Sequence, residues 1–165
     1  METLVNLFTV RLSGILSKEM IIFIISLIPT LELRGGLLAA SLMKVPYLKA
    51  LLICIIGNIV PVPFILLFIR KIVDLMEKFP LTRGIAGFLR RKVEKNRESI
   101  EKYGFWGLTL FVGIPLPGTG AWTGCLAAGL LRMDLKKSVP SILLGVLLAS
   151  AIMSVLSYGL IGSLI

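Results

Sequence analysis

The stretch MIIFIISLIPTLELRGGLLAASLM, residues 20–43, decides the fold of this chain. It is apolar at both ends, but each apolar arm is shorter than the roughly 20 residues that a membrane-spanning helix needs. Between the arms, Pro29 and the pair Gly35 and Gly36 are residues that interrupt helices. The stretch therefore predicts either one broken transmembrane helix or a re-entrant helical hairpin.

A second stretch, residues 104–131, repeats this design. Its apolar arms flank the break PGTGAWTG, residues 117–124, and a basic residue, Arg132, follows it as Lys44 follows the first stretch. Sliding the sequence by 88 residues aligns both stretches and the apolar runs behind them. Paired interrupted segments in two halves of a chain are typical of transporters with a site near the middle of the bilayer. We therefore predict two repeats, over 20–69 and 104–162.

The remaining apolar runs predict ordinary helices. Residues 50–69 suit one spanning helix, which Pro61 and Pro63 would kink. Residues 138–162 form a last uncharged run. Residues 1–19 carry apolar residues near helical spacing, which indicates a short interfacial helix, with a frayed tail as the alternative.

Between the repeats, residues 70–103 are basic, with about half as many acidic as basic residues. Pro80 and Gly84 divide the segment, and mixed charges at helical spacing over 90–103 predict a solvated or interfacial amphipathic helix. Basic loops lie on the cytoplasmic side of membrane proteins. We expect this segment to be cytoplasmic and to contact lipids and not nucleic acid.

Composition limits the class of protein. Of the 165 residues, 56% are hydrophobic and 16% charged, whereas soluble domains carry about 25% charged residues. The chain contains no histidine, which excludes histidine metal sites and Ser/His/Asp triads. Cys54 and Cys125 lie in apolar runs and are interpreted as buried small side chains. We predict an all-α integral membrane protein forming a single membrane domain over 1–165, without signal peptide, metal, cofactor or enzyme activity.

Two topologies are compatible with the repeats. If 20–43 and 104–131 are hairpins, the single span 50–69 inverts the second relative to the first, and the two tips meet. If each stretch crosses fully, the protein has four spans and parallel repeats. The hairpin alternative is favoured here, and the basic segment is cytoplasmic in both.

Glu32 and Arg34 are the only charges inside apolar segments. Ionisable groups at membrane depth are costly and usually mark functional sites. In the functional interpretation, Arg34 binds an anionic headgroup while Glu32 takes up and releases a proton. In the structural alternative, the two groups neutralise each other or a backbone carbonyl and hold the break in shape.

The second break carries no charge but offers backbone N–H groups, two hydroxyls and an indole. A half-helix that begins after it would present free amides and a positive dipole end to an anion. The alternative is close helix packing along a ridge of small residues. The predicted substrate site combines both breaks and consists of Glu32, Arg34, Gly35, Gly36, Pro117, Gly118, Thr119, Gly120, Trp122 and Thr123.

Four motifs resemble a known family. The strings PTLELRGG (29–36) and GIPLPGTGAWTG (113–124) are similar to those of the small multidrug export proteins, within the wider DedA-like (VTT, SNARE-associated) membrane superfamily. The strings EKYG (101–104) and AAG (127–129) resemble DedA proteins as well.

The resemblance implies two inverted re-entrant hairpins that face each other, and membrane transport. DedA relatives are linked to proton-dependent physiology and to movement of phosphate-headed carrier lipids, and eukaryotic members are lipid scramblases. By this likeness Glu32 matches the acidic residue of the first hairpin. The chain departs from DedA proteins in the second hairpin, where they carry arginines and it has Gly113 and the uncharged 118–122.

We expect a small transporter or lipid translocase of the prokaryotic plasma membrane that moves an amphipathic, anionic substrate by alternating access. A multidrug exporter of lipophilic cations, using Glu32 for proton exchange, is one alternative. A membrane assembly factor without transport is another, and an intramembrane enzyme is the weakest. Glycine ridges that permit close contact favour a homodimer.

Overall fold

The computed structural model describes residues 16–116 and 118–160, and all of its regular elements are helical. Residues 1–15, on which most of the predicted interfacial helix falls, lie outside the described residues. The helices are α1 (Lys18–Leu27), α2 (Glu32–Leu42), α3 (Tyr47–Ile59), α4 (Pro61–Lys78), α5 (Pro80–Gly113), α6 (Ala121–Leu130) and α7 (Leu135–Ser154), followed by a π-helical segment, Val155–Leu160.

Helices α1 and α2 form an antiparallel hairpin, called hairpin 1 here. The Lys18 Nζ at its start donates to the carbonyl of Met43 just beyond its end, at 2.9 Å, so the two ends of the hairpin lie side by side. Gly36 allows the close approach, because a Cβ there would collide with Ser26 and lie 2.8 Å from the Cys54 sulfur. Residues 20–43 thus form two helices joined by a tight turn.

Hairpin 2 consists of α6 and the part of α5 after Gly104. Gly104 has φ 53° and ψ −117°, a conformation that only glycine adopts readily, and it separates the basic part of α5 from the apolar part. Val112 packs on the backbone of Gly124 across the hairpin. The apolar arm of α5 thus turns back into α6 through residues 114–120.

The backbones of the two hairpins correspond at the predicted offset. Lys44 and Arg132, 88 residues apart, both have positive φ, at 54° and 57°. They close equivalent turns, in which the amides of Lys44 and Arg132 donate to the carbonyls of Ser41 and Gly129, at 3.0 and 3.3 Å. The offset found by sliding the sequence therefore also relates these two turns.

The two hairpins approach the helical segment Tyr47–Ile69 from opposite ends. Near its start, Lys49 pairs with Glu19 of hairpin 1 at 2.7 Å. Near its end, Ile69 packs on Gly129 of hairpin 2. The bases of the hairpins thus lie at opposite ends of this segment and their tips meet between them. This is the arrangement of the hairpin alternative; that the hairpins are re-entrant in a bilayer stays a prediction.

Several predicted boundaries are corrected by the structure. Both breaks are shorter than predicted, because α2 begins at Glu32 and α6 at Ala121, so that the glycines behind them are helical. Gly84 lies inside α5 and does not divide the basic segment. A glycine inside a helix costs only about 1 kcal/mol, which neighbouring packing can offset.

The predicted kink near Pro61 and Pro63 is a junction between α3 and α4 at Val60, which itself has helical dihedral angles. Both prolines occupy the first turn of α4, where a missing N–H costs nothing. Helix α4 then continues beyond the predicted span to Lys78.

Within the described residues, Tyr47–Ile69 and Leu135–Gly159 are long and apolar enough to cross a membrane. Large apolar side chains cover their outer faces, among them Leu48, Leu52 and Phe64, each more than 60% exposed. Lipid is the solvent that accommodates such a surface. The chain is an all-α membrane protein.

Candidate functional site

The site lies where the two hairpin tips meet, and it begins with an unusual backbone at Glu32. This first residue of α2 has φ 50°, which is strained for any residue but glycine, while its amide donates to the Ile28 carbonyl at 2.8 Å. Such strain costs about 1–3 kcal/mol and persists where surrounding contacts enforce it. We call the turn between α1 and α2, together with the start of α2, tip 1. It directs Glu32 and Arg34 inward, where they are 5% and 8% exposed.

The Glu32 carboxylate binds the start of α6. Its Oε2 accepts from the amide of Ala121 at 3.1 Å, and its Oε1 accepts from the amide of Trp122 at 3.0 Å. These are the first amides of a helix, which have no partner within the helix and lie at its positive dipole end. The carboxylate therefore completes the N-terminus of α6 from the opposite hairpin.

Gly120 makes this approach possible. It has φ 135°, and a Cβ on it would lie 2.6 Å from Cδ and 2.7 Å from Oε1 of Glu32. Any side chain at this position would occupy the place of the carboxylate.

Arg34 binds the end of the other arm of hairpin 2. Its guanidinium donates to the carbonyls of Leu116 at 2.8 Å, Ile114 at 3.1 Å and Val112 at 3.4 Å, and to the Thr119 hydroxyl at 3.0 Å. The last carbonyls of a helix carry partial negative charge, which an arginine stabilises. The two charges of tip 1 thus neutralise the two helix ends at tip 2, the turn between α5 and α6.

These contacts correct the prediction that the second break offers bare amides to an anion. The amides are present where predicted, at the start of α6, but the Glu32 carboxylate occupies them. They also match part of the structural alternative, because Arg34 neutralises backbone carbonyls and holds the break in shape.

A cavity of about 330 Å³ lies between the tips and is called the tip cavity here. Its polar wall includes five of the predicted site residues: Glu32, Arg34, Gly118, Thr119 and Thr123. Its other walls are largely apolar and come from the two breaks, the end of α7 and the π-helical segment: Pro29, Leu31, Pro115, Leu116, Met153 and Leu156. The cavity therefore offers charges and hydroxyls on one side and hydrocarbon on the other.

The other predicted site residues have different positions. Gly35 and Gly36 pack against neighbouring side chains of hairpin 1, with Leu31 and Ile25 beside Gly35. Gly120 lies against the Glu32 carboxylate, and the buried Trp122 indole Nε1 has no hydrogen-bond partner among the described residues. Pro117 lies outside the described residues.

Sequence reasoning missed two cavity residues, Met153 of α7 and Leu156 of the π-helical segment, and it missed the backbone acceptors of Arg34. Met153 and Leu156 carry no local signal, because they are ordinary apolar residues of a spanning helix. Thr30, by contrast, lies inside the first predicted break and Pro115 just before the second. Both could have been added to the predicted site from their positions alone.

Comparison with known proteins places this geometry in a family. Residues 32–152 match the family described as "Putative small multi-drug export protein", a match that begins at Glu32 and includes all of hairpin 2. No curated protein and no solved structure matches the chain significantly. The DedA-like relationship stays a prediction. Because the family match covers well over half of its length, the chain belongs to the small multi-drug export protein family and is a membrane transport protein.

Proposed function

We propose that the protein moves an amphipathic substrate with an anionic, phosphate-like headgroup through the tip cavity, with Glu32 as its proton-responsive group. The observation that carries this proposal is that an anion already lies where such a headgroup would bind. The Glu32 carboxylate accepts from the amides of Ala121 and Trp122 at the edge of the cavity.

Glu32 and a substrate anion would compete for the same two amides. Helix N-termini bind phosphate and carboxylate groups through the same unpaired N–H groups and the helix dipole. Protonation of Glu32 removes its negative charge and weakens its hold on α6. The amides, together with Arg34, are then available to a headgroup, so substrate binding is favoured at low pH.

The walls of the cavity support an amphipathic substrate. A headgroup fits the side of Arg34 and Thr119, while Met153 and Leu156 provide apolar surface for a hydrocarbon chain. Leu116 and Leu156 are 55% and 39% exposed, so the apolar side adjoins the outer surface of the molecule. A chain attached to the headgroup could therefore stay in lipid.

The same exchange would loosen the contact between the hairpins. The carboxylate and guanidinium of tip 1 supply hydrogen bonds to both helix ends of tip 2. A substrate that replaces Glu32 removes two of them. This provides a physical basis for alternating access, in which hairpin 2 moves relative to hairpin 1.

The family description supports a second candidate, the export of lipophilic cations. In that case the ionised Glu32, which lines the cavity, would bind the cation directly and exchange it for a proton. Glu32 must then leave the amides of α6 without an anion to replace it, a cost that the anionic substrate avoids.

Two amphiphiles with the same dodecyl chain separate these candidates. Dodecyl methyl phosphate carries a fixed negative charge, and dodecyltrimethylammonium carries a positive one. In reconstituted protein, a hydrophobic carbodiimide labels Glu32 only when its carboxyl is protonated and displaced. We expect the phosphate diester to increase this labelling and the ammonium compound to leave it unchanged.

The variant Glu32→Gln provides the matched control. It removes the competing charge, so it should bind the phosphate diester more tightly than the natural chain at neutral pH, with little change as pH falls. Protection of Glu32 by the ammonium compound would instead support the cation exporter. Labelling that neither compound changes, together with unaltered binding in Glu32→Gln, would support a membrane assembly factor.

The plasma membrane location, the cytoplasmic side of 70–103, the division into repeats and the homodimer remain part of this proposal. They are compatible with hairpin bases at opposite ends of Tyr47–Ile69, one of which adjoins the basic segment.

A further inference from the structure

We infer that a second cavity, far from the hairpin tips, binds the headgroup of an anionic phospholipid. It has a volume of about 280 Å³ and lies between the basic part of α5 and the turn that joins α6 to α7. We call it the arginine cavity. The inference does not rest on the proposed function, because it concerns the surrounding lipid and not the transported molecule.

Three arginines and one acid line this cavity: Arg90, Arg97 and Glu94 from α5, and Arg132 from the turn. The lining therefore carries a net positive charge. Arginine binds phosphate groups through its planar fork of N–H donors.

Arg132 is the arginine most available to a ligand. Its side chain forms no hydrogen bond or ion pair anywhere in the part of the chain that the structure describes. The residue 88 positions earlier, Lys44, is also basic, but it lies in the turn after hairpin 1 and does not line the arginine cavity.

The two arginines of α5 are held in place by carboxylates and keep donors in reserve. Arg90 donates through Nε and Nη2 to Glu77 and Asp74, and Arg97 donates through Nε and Nη1 to Glu101 and Glu94. One terminal nitrogen of each has no partner among the described residues. The ion pairs thus position two guanidinium groups at the cavity without using all of their donors.

The position of the cavity indicates a lipid and not a soluble anion. Leu130 and Leu131 of its apolar lining belong to the base of hairpin 2, which lies at the Ile69 end of the long helical segment, and Val93 of the basic part of α5 completes this lining. A phosphate at this level would meet the arginines while its glycerol and acyl chains follow the apolar residues into the bilayer. Basic cavities at this depth suit anionic headgroups.

Native mass spectrometry of the full chain in detergent tests this site. Phosphatidylglycerol is titrated against phosphatidylcholine with the same acyl chains, and the affinity for the first bound lipid is measured. Loss of a charged hydrogen bond costs about 1.5–3 kcal/mol, so Arg132→Gln should weaken phosphatidylglycerol binding by about tenfold or more. Arg91→Gln removes the same charge from α5, outside the cavity, and should change binding by less than about twofold.

A variant of opposite sign completes the test. Glu94→Gln removes the only acid of the lining and frees Nη1 of Arg97 from its carboxylate, so it should tighten phosphatidylglycerol binding, whereas Glu98→Gln, outside the cavity, should not. Equal losses in Arg132→Gln and Arg91→Gln would overturn the inference in favour of diffuse charge attraction. Equal affinity for both lipids, or full displacement by millimolar inorganic phosphate, would also overturn it. Arg132→Gln should leave the carbodiimide labelling of Glu32 unchanged, so a negative result here does not affect the proposal for the tips.

Discussion

Glu32 and Gly120 occupy equivalent positions in the two hairpins, 88 residues apart, yet one carries a charge and the other has no side chain. Glu32 is the first residue of α2 and Gly120 directly precedes α6, and both have positive φ. The carboxylate of Glu32 fills the space that a side chain on Gly120 would take. One repeat therefore supplies the ion and the other supplies its receptor.

The difference extends to the neighbouring residues. Arg34 corresponds to Trp122, whose amide is one of the two donors to Glu32. Tip 1 thus contributes side-chain charges, and tip 2 contributes backbone amides and carbonyls. Two identical charged tips would repel each other, and two bare tips would leave four helix ends without partners. Asymmetry between the repeats allows the tips to meet in an apolar environment.

Replacing Arg34 by methionine should have the largest effect on this contact. The apolar side chain has similar length but removes the donor to three carbonyls and leaves the Glu32 carboxylate without its opposite charge. Breaking a buried charge arrangement on one side costs about 3–5 kcal/mol. We expect a loss of this size in the free energy of unfolding, measured by titration with dodecyl sulfate in mixed micelles.

Arg34→Lys is the control, since it retains the charge with fewer donors. Its free energy of unfolding should lie between those of the natural chain and Arg34→Met. If Arg34→Met unfolds at the same dodecyl sulfate fraction as the natural chain, the guanidinium does not hold the tips together.

Replacing Gly120 by alanine should have the next largest effect and lower the free energy of unfolding by about 2 kcal/mol, because it adds backbone strain and displaces Glu32. The Glu32→Ala background removes the carboxylate, so the second substitution should then cost only the strain. A double-mutant cycle in the same unfolding assay measures this coupling.

Substitutions at two further glycines separate backbone strain from displacement of a neighbour. A Cβ on Gly104 would meet no atom of the described residues within 4 Å, but Gly104 has φ 53°, so Gly104→Ala reports strain alone. Gly84→Ala meets no atom either and lies in an ordinary helix, so it should be neutral or stabilise by about 0.5–1 kcal/mol. Equal costs for Gly120→Ala in both backgrounds would show that the carboxylate does not depend on the missing side chain.

The smallest effect is expected for Thr119→Val. Its hydroxyl accepts from Arg34 at 3.0 Å and donates within the tip to Ile114 at 2.7 Å, and such a hydrogen bond contributes about 1 kcal/mol. Thr119→Ser keeps the hydroxyl and should retain most of the stability. A lower stability of Thr119→Ser than of Thr119→Val would indicate that the methyl group, and not the hydroxyl, matters at this position.

The sequence predicted most of the hairpin architecture because its signals are local. Prolines and glycines mark both breaks, and the offset between repeats could be counted directly. Glu32 and Arg34 were identifiable because charges in apolar runs are rare. Met153 and Leu156 were not, since nothing local distinguishes the spanning residues that reach a cavity from those that face lipid.

The amino-acid sequence by itself determined the membrane class, the two interrupted apolar stretches and the two charges at the first break, because solvent preference and helix interruption are properties of single residues and short segments. Only the tertiary structure decided what those charges bind. Glu32 and Arg34 lie 78–90 residues from their partners, and those partners are mainly backbone groups that every sequence contains. Their pairing arises from packing that brings the ends of two distant hairpins to the same point, which fills the predicted anion site with the protein's own carboxylate.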